Sequence, residues 1–215
     1  MIINILGGGP VDLLPDLHNY NEEESIWVGV DRGVFTLINR DIQPDIAFGD
    51  FDSVTANELT EIEKKVKHLE KFKPEKDETD MELALNWALE QKPDQIRVFG
   101  SSGGRLDHFF ANVQLVIRPV LAGTNTEIFL IDRNNVIFVK APGKYEIRKM
   151  DEKKYISFVP VTLNVQALTL EGFKYPLKDC HISIGSTLCI SNELIRDCGT
   201  FSFSEGILIV VRSND

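Results

Sequence analysis

Two carboxylates one residue apart, Asp50 and Asp52, close the stretch Ile46-Ala47-Phe48-Gly49-Asp50-Phe51-Asp52-Ser53. If the apolar run ends a β-strand, the two-residue side-chain period sends both acids to the same side, and Gly49 lets the backbone turn just before them. Paired carboxylate oxygens can hold one hard cation, and Mg²⁺ is commonly bound by one or two carboxylates together with substrate phosphates. The residues suit a magnesium–nucleotide site; they equally suit a strand that ends in a solvated Asx-turn.

Four other stretches carry related chemistry. Gly7-Gly8-Gly9-Pro10 follows the apolar run Ile2 to Leu6, so Gly8 and Gly9 either bring backbone N–H groups close to a phosphate or form a plain turn. Asp31-Arg32-Gly33 follows Ile26 to Val30, where an acid could contact a ribose or a base. In Lys76-Asp77-Glu78-Thr79-Asp80, Asp77 and Asp80 either complete the metal site begun by Asp50 and Asp52 or stabilise the N-terminus of the next helix through its dipole. Ser101-Ser102-Gly103-Gly104-Arg105-Leu106-Asp107-His108 follows Ile96 to Gly100. There a glycine turn, a helix N-terminus and the fork of Arg105 suit an anion, while Asp107 also suits an N-cap and His108 a first-turn position.

The elements that must position these residues follow from periodicity. Strands are expected near Ile2–Leu6, Ile26–Val30, Asp45–Phe48, Lys67–Phe72, Ile96–Gly100 and Glu127–Ile131, with helical patterns between them. Val34 to Arg40 reads as a short helix, and Thr55 with Glu58 and Thr79 with Glu82 have the spacing that opens a helix. Alternating strands and helices predict a mostly parallel sheet flanked by helices, with ligands at the carboxyl ends of the strands. All five acidic or glycine-rich stretches follow strands. Beyond Asn134 the pattern changes to short β-branched or aromatic runs, among them Thr187 to Ile190, and Glu205-Gly206 is expected to form a tight hairpin turn. The fold class is therefore α/β over residues 1–133, joined to a smaller antiparallel β-sandwich or barrel over 134–215.

The net charge of −10 disfavours nucleic acid, where clustered Lys and Arg supply much of the affinity. Three cysteines with no Cys-x-x-Cys spacing suggest buried thiols in a reducing compartment. The start of the chain lacks a basic region and reads as a strand, and no stretch approaches the roughly 20 apolar residues of a membrane span. A soluble cytoplasmic protein with no membrane partner is expected.

Gly49-Asp50-Phe51-Asp52-Ser53, Lys76-Asp77-Glu78-Thr79-Asp80, Gly103-Gly104-Arg105-Leu106-Asp107-His108, Gly172-Phe173-Lys174-Tyr175-Pro176-Leu177 and Ser191-Asn192-Glu193 occur in the order seen in thiamine pyrophosphokinases. The chain resembles bacterial members of that family over nearly its whole length. The resemblance implies transfer of a pyrophosphoryl group from ATP to the hydroxyl of thiamine, giving thiamine diphosphate and AMP with Mg²⁺. It also implies a homodimer with thiamine clefts at the subunit interface. By the same resemblance Asp50, Asp52 and one or both of Asp77 and Asp80 are the magnesium and triphosphate acids, while Arg105, Asp107 and His108 border the phosphates. Gly8, Gly9, Asp31, Arg32, Gly33, Ser53, Lys76, Thr79 and Gly104 fall on the nucleotide side, and Ser191 and Asn192 on the thiamine-contacting pair. Leu194 stands where some relatives carry a stacking aromatic, and Asp31-Arg32-Gly33 replaces an Asp-Gly-Gly.

Such chemistry is mainly positioning and charge stabilisation, so metal-holding acids, a cationic side chain and backbone N–H groups are what it needs. The substrate alcohol attacks, and a base, an Asp or His108, is not singled out by the sequence. Two rival readings are another Asp-x-Asp transferase that uses a metal and a nucleotide, and a nucleotide-binding sensor without turnover.

Overall fold

The structure is a computed structural model and describes residues 1–51, 55–66, 68–71 and 77–215. Asp52, Ser53 and Lys76 lie outside the described residues, as do Lys67 and Phe72 at the ends of one expected strand. Contacts divide the chain into two units, residues 1–118 with 124–133, and residues 119–123 with 134–215.

The first unit alternates strand and helix: β1 (Ile2–Leu6), β2 (Ser25–Val30), α1 (Arg32–Ile38), β3 (Ile46–Gly49), α2 (Ala56–Lys65), β4 (His68–Lys71), α3 (Asp80–Glu90), β5 (Gln95–Phe99), α4 (Leu106–Leu121) and β6 (Glu127–Ile131). Its strands lie in the order β6-β5-β1-β2-β3-β4, and every neighbouring pair is parallel. Because parallel strands share a direction, their carboxyl ends form one edge. β1 leads to β2 on one side and borders β5 on the other, so the order reverses between β1 and β5, where open α/β sheets bind ligands.

Local chemistry sets the helix starts. The Thr55 N–H donates to Glu58 Oε2 at 2.7 Å, and the Glu58 N–H donates to Thr55 Oγ1 at 3.3 Å, closing the expected capping box. The bond from the Thr55 backbone is the main cause that holds the Glu58 carboxyl below the usual range. Thr79 likewise accepts from the Glu82 N–H at 3.1 Å and starts α3. α1 begins two residues earlier than expected, so Arg32 and Gly33 lie in its first turn, not in a loop. Beneath the sheet edge Trp27 stacks on Phe99 at 5.7 Å, and Phe51 packs with Val34, Ile38 and Ile62.

The second unit contains β7 (Asn135–Lys140), β8 (Gly143–Arg148), β9 (Tyr155–Pro160), β10 (Asn164–Glu171), β11 (Leu177–Ser183), β12 (Asn192–Glu193), β13 (Cys198–Phe203) and β14 (Leu208–Ser213). They form two antiparallel sets, β12-β9-β14-β7 and β11-β10-β13-β8. Phe158 of β9 joins the two, with ring centroids 5.6 Å from Phe173 and 5.0 Å from Phe201.

Three expectations for this half are corrected. Thr187 to Ile190 is a turn, not a strand, and of its apolar residues only Cys189 is buried. Glu205-Gly206 does not close a hairpin. It passes the chain from β13 in one sheet to β14 in the other, with Gly206 at φ +92° where an added Cβ would stand 2.4 Å from the Asn164 carbonyl oxygen. The cysteines are not all buried: Cys189 is, and burial pushes its thiol up to about 11, but Cys180 is half-buried and Cys198 exposed.

Candidate active site

Two glycine loops meet above the point where the strand order reverses. The Gly7 N–H donates to the Phe99 carbonyl at 2.8 Å, and the Gly9 N–H donates to the Gly100 carbonyl at 3.0 Å. Neither amide is thus left for a phosphate, and Gly8, exposed at the tip, is the member of the run outside this ladder. The approach is close enough to require glycine: a Cβ on Gly9 would lie 2.5 Å from the Gly100 oxygen. Gly104, at φ +66° with nothing within 4 Å of its Cβ position, leaves open space beside the second loop.

The acids converge on the same edge. Asp31 occupies the N-cap position of α1 without a side-chain capping bond, at φ 49°, ψ −122°, a backbone region non-glycine residues seldom occupy, and its N–H donates to the Phe48 carbonyl at 2.9 Å. Its Oδ1 lies 2.1 Å from where a Cβ on Gly49 would stand, so the glycine is what admits the Asp31 carboxyl beside the backbone that leads into Asp50. Asp50 is half-buried, and Phe51 behind it, at φ 58° and 4% exposed, anchors the turn in the core. The first turn of α3 reaches this edge, since the Met81 methyl lies 2.8 Å from the Cβ position of Gly7. Asp80 in that turn is half-buried, and Asp77 and Thr79 are exposed. Among the described residues no three His, Cys, Asp or Glu side chains form a metal cluster; Asp52 is outside that set. The donors expected at this edge are all carboxylates, whose hard oxygens suit Mg²⁺.

Arg105, immediately before α4, is exposed and already paired. Its Nε donates to Asp107 Oδ1 at 3.1 Å, and its Nη2 meets the second carboxylate oxygen. The bond to Asp107 raises the Arg105 pKa, and the reciprocal bond lowers that of Asp107. Asp107 is therefore an arginine partner in the first turn of the helix, and His108 beside it is exposed. Arg32, on the outer part of α1, lies 3.9 Å from Glu58.

Sequence reasoning passed over Asp132. It follows β6, is 8% exposed, and accepts from Ser102 Oγ at 2.6 Å, tying the second glycine loop to the end of the neighbouring strand. A lone acid after an apolar run offered no signal for this bond between residues 30 positions apart.

In the second unit the two late motifs hold each other. Asn192 is 2% exposed, its Oδ1 accepts from the Tyr175 N–H at 3.0 Å, and its Nδ2 donates to the Tyr175 carbonyl at 2.8 Å. Lys174 adds a backbone bond of 2.8 Å to the Glu193 carbonyl and an Nζ bond of 3.0 Å to its side chain. The amide of Asn192 is thus a clamp on the 172–177 loop. Ser191 is exposed at φ 57°, its N–H donating to Ser157 Oγ at 2.9 Å. Tyr175, 58% exposed, presents the accessible aromatic ring of this loop, whose other aromatic, Phe173, is 2% exposed.

Comparison with known proteins finds a family model for each half of the chain. The model described as thiamin pyrophosphokinase, catalytic domain, matches residues 17–130, and the one described as thiamin pyrophosphokinase, vitamin B1 binding domain, matches residues 144–208. The chain belongs to the thiamine pyrophosphokinase family. It is 54% identical over 213 residues to the thiamine pyrophosphokinase of Bacillus subtilis, covering 99% of each chain. The crystal structure of a Bacillus subtilis thiamine pyrophosphokinase superposes with a TM-score of 0.94 at 52% identity over the full length of both chains. That of a thiamin pyrophosphokinase family protein from Enterococcus faecalis gives 0.92 at 33% identity, again over both full chains. No helix among the described residues is long and apolar enough to cross a membrane.

Proposed function

We propose that this protein transfers the pyrophosphoryl group of ATP to the hydroxyl of thiamine, forming thiamine diphosphate and AMP. The observation that carries this reading is the near-full-length match at 54% identity to a thiamine pyrophosphokinase. In the reaction the thiamine oxygen attacks the β-phosphorus, the bond from that phosphorus to the α,β-bridging oxygen breaks, and AMP leaves as the hydroxyl proton is lost.

Asp50 and Asp52, with Asp77 or Asp80, would hold Mg²⁺, which supplies charge neutralisation on the triphosphate. Gly8 and Gly104 let phosphate oxygens approach the backbone, and Arg105 exchanges part of its pairing with Asp107 for the triphosphate. Asp31 faces the nucleotide from the end of β2. Ser191 and the exposed ring of Tyr175 receive thiamine, whose permanent positive charge suits an aromatic face. The working protein is a cytoplasmic homodimer with its thiamine clefts at the subunit interface. Exposed Leu163, Ile184, Leu188 and Ile190 on the second unit support an association surface there.

Incubation with ATP and Mg²⁺, with and without thiamine, tests the reading through its products. AMP is expected only when thiamine is present. Thiamine-independent AMP, transfer to a sugar, or binding without turnover would each overturn it.

Asn192→Ala probes the clamp. Loss of its buried bonds to Tyr175 is expected to cost about 1–3 kcal/mol, lowering Tm by roughly 2–10 °C. The loosened Tyr175 loop should raise the KM for thiamine more than that for ATP. An equal rise in both would argue against separate acceptor and donor surfaces.

A further inference from the structure

The second unit holds a basic cavity that borders the Ser191-Asn192-Glu193 stretch, with Glu193 and Leu194 in its lining, and whose cations have no part in the proposed reaction. Arg212 of β14 is in register with Ile156 of β9, which in turn is in register with Asn192 of β12. Paired residues of neighbouring strands share a face, and the preceding pair on that face, Val210 and Phe158, is fully buried. Arg212 therefore continues an apolar inner row and is itself 6% exposed. At this end of the sandwich lies a cavity of about 360 Å³ whose lining sets four cations, Lys149, Lys153, Lys154 and Arg212, against two carboxylates, Asp151 and Glu193.

Both carboxylates are paired with lysines, two of them from the lining itself, which leaves the lining with a net charge of about +2. Asp151 lies 3.4 Å from Lys149, while Glu193 divides its oxygens between Lys174 at 3.0 Å and Lys154 at 3.4 Å. Arg212 has no such relief. Its Nε is buried without an acceptor, and among the described residues no carboxylate pairs with its guanidinium. Burial lowers its pKa, yet an arginine stays charged in a protein. A buried, unpaired cation is costly, and the fork of a guanidinium matches a phosphate in bidentate fashion.

We infer that this cavity binds a phosphate-bearing anion, with Arg212 as its main ligand and the neighbouring lysines as additional charge. The volume exceeds that of one phosphate and falls in the range of small-ligand sites, so a diphosphate group fits. The inference rests on the second unit alone and stands or falls separately from the kinase reading.

Backbone amide NMR of the full chain, titrated in phosphate-free buffer with inorganic phosphate, inorganic diphosphate or thiamine diphosphate, reads the site directly. Saturable shifts are expected at Ile156, Arg212 and Asn214, distinguishable from any at Gly8 or Gly104. The probe that saturates at the lowest concentration identifies the ligand as a free anion or a diphosphate ester. In Arg212→Met the shifts in the second unit should vanish while turnover stays within about twofold. Its Tm without anion should exceed that of the unaltered protein by a few degrees, because an unpaired buried charge has gone. If that variant does not fold, Arg212→Lys should still weaken the same shifts by at least tenfold in apparent affinity, since the fork is lost. Absence of saturable shifts with all three probes, or shifts that survive in either variant unchanged, would overturn the inference.

Discussion

Asp50→Asn is expected to lower turnover at saturating ATP and thiamine by about a hundredfold or more, and to raise the Mg²⁺ concentration needed for half-maximal rate. The substitution preserves shape and removes one ligand charge. Asp50 is half-buried at the end of β3, and the adjoining turn is anchored in the core by Phe51, which packs with Val34, Ile38 and Ile62. Tm should therefore change by only about 2 °C or less. A variant with native rate at limiting Mg²⁺ would remove Asp50 from the metal site. A variant that simply unfolds would make the acid structural.

The second large effect is on stability. A Cβ on Gly33, in the first turn of α1, would stand 2.0 Å from the Leu6 carbonyl oxygen and 2.7 Å from its carbon. These are backbone atoms of β1 and cannot rotate aside, so in Gly33→Ala the helix must lift from the sheet. Doing so disturbs Val34 and Leu37, both fully buried. A loss of about 3–5 kcal/mol is expected, roughly 10 °C or more in Tm. Gly8→Ala is the informative control, because its nearest neighbour is the Arg32 Cβ at 3.6 Å, an ordinary contact. That variant should keep its Tm within about 2 °C and show its effect on the KM for ATP, since the proposed function brings phosphate oxygens to the Gly8 backbone. Equal melting of the two variants would show that the contact at Gly33 relaxes cheaply.

The first unit was legible because its strands other than β4, the edge strand His68–Lys71, are short and mostly apolar runs, and buried parallel strands leave that signature. Once strands and helices alternate, handed crossovers place every strand end on one edge, which is why five scattered stretches could be gathered from residue order alone. The second unit was less legible. β11, Leu177–Ser183, is an edge strand whose run Lys178-Asp179-Cys180-His181 lacks the apolar alternation of a strand, and edge strands carry such polar residues freely. Thr187 to Ile190 has the composition of a strand but follows Gly185 at φ +85°, and the chain turns there. Glu205-Gly206 is a turn, as its residues say, but which strand the chain joins next depends on the other sheet.

The site shows the same division. Residue type singled out Asp31, Asp50 and Arg105 as candidates, yet the engagement of Arg105 with Asp107, of the Gly9 amide with Gly100, and of the Asn192 amide with Tyr175 depends on three-dimensional proximity. Asp132 and Arg212 were silent in the sequence for that reason. One gains its role from a loop 30 residues away, and the other from the apolar row it terminates.

The central claim, pyrophosphoryl transfer to thiamine, is tested most directly by following the β-phosphorus. With ATP labelled at that position and Mg²⁺ present, the label should leave the nucleotide and appear in thiamine diphosphate, matched one for one by unlabelled AMP. Label retained in ADP beside thiamine monophosphate would mean that a single phosphoryl group moves, and would contradict transfer of the pyrophosphoryl group as a unit.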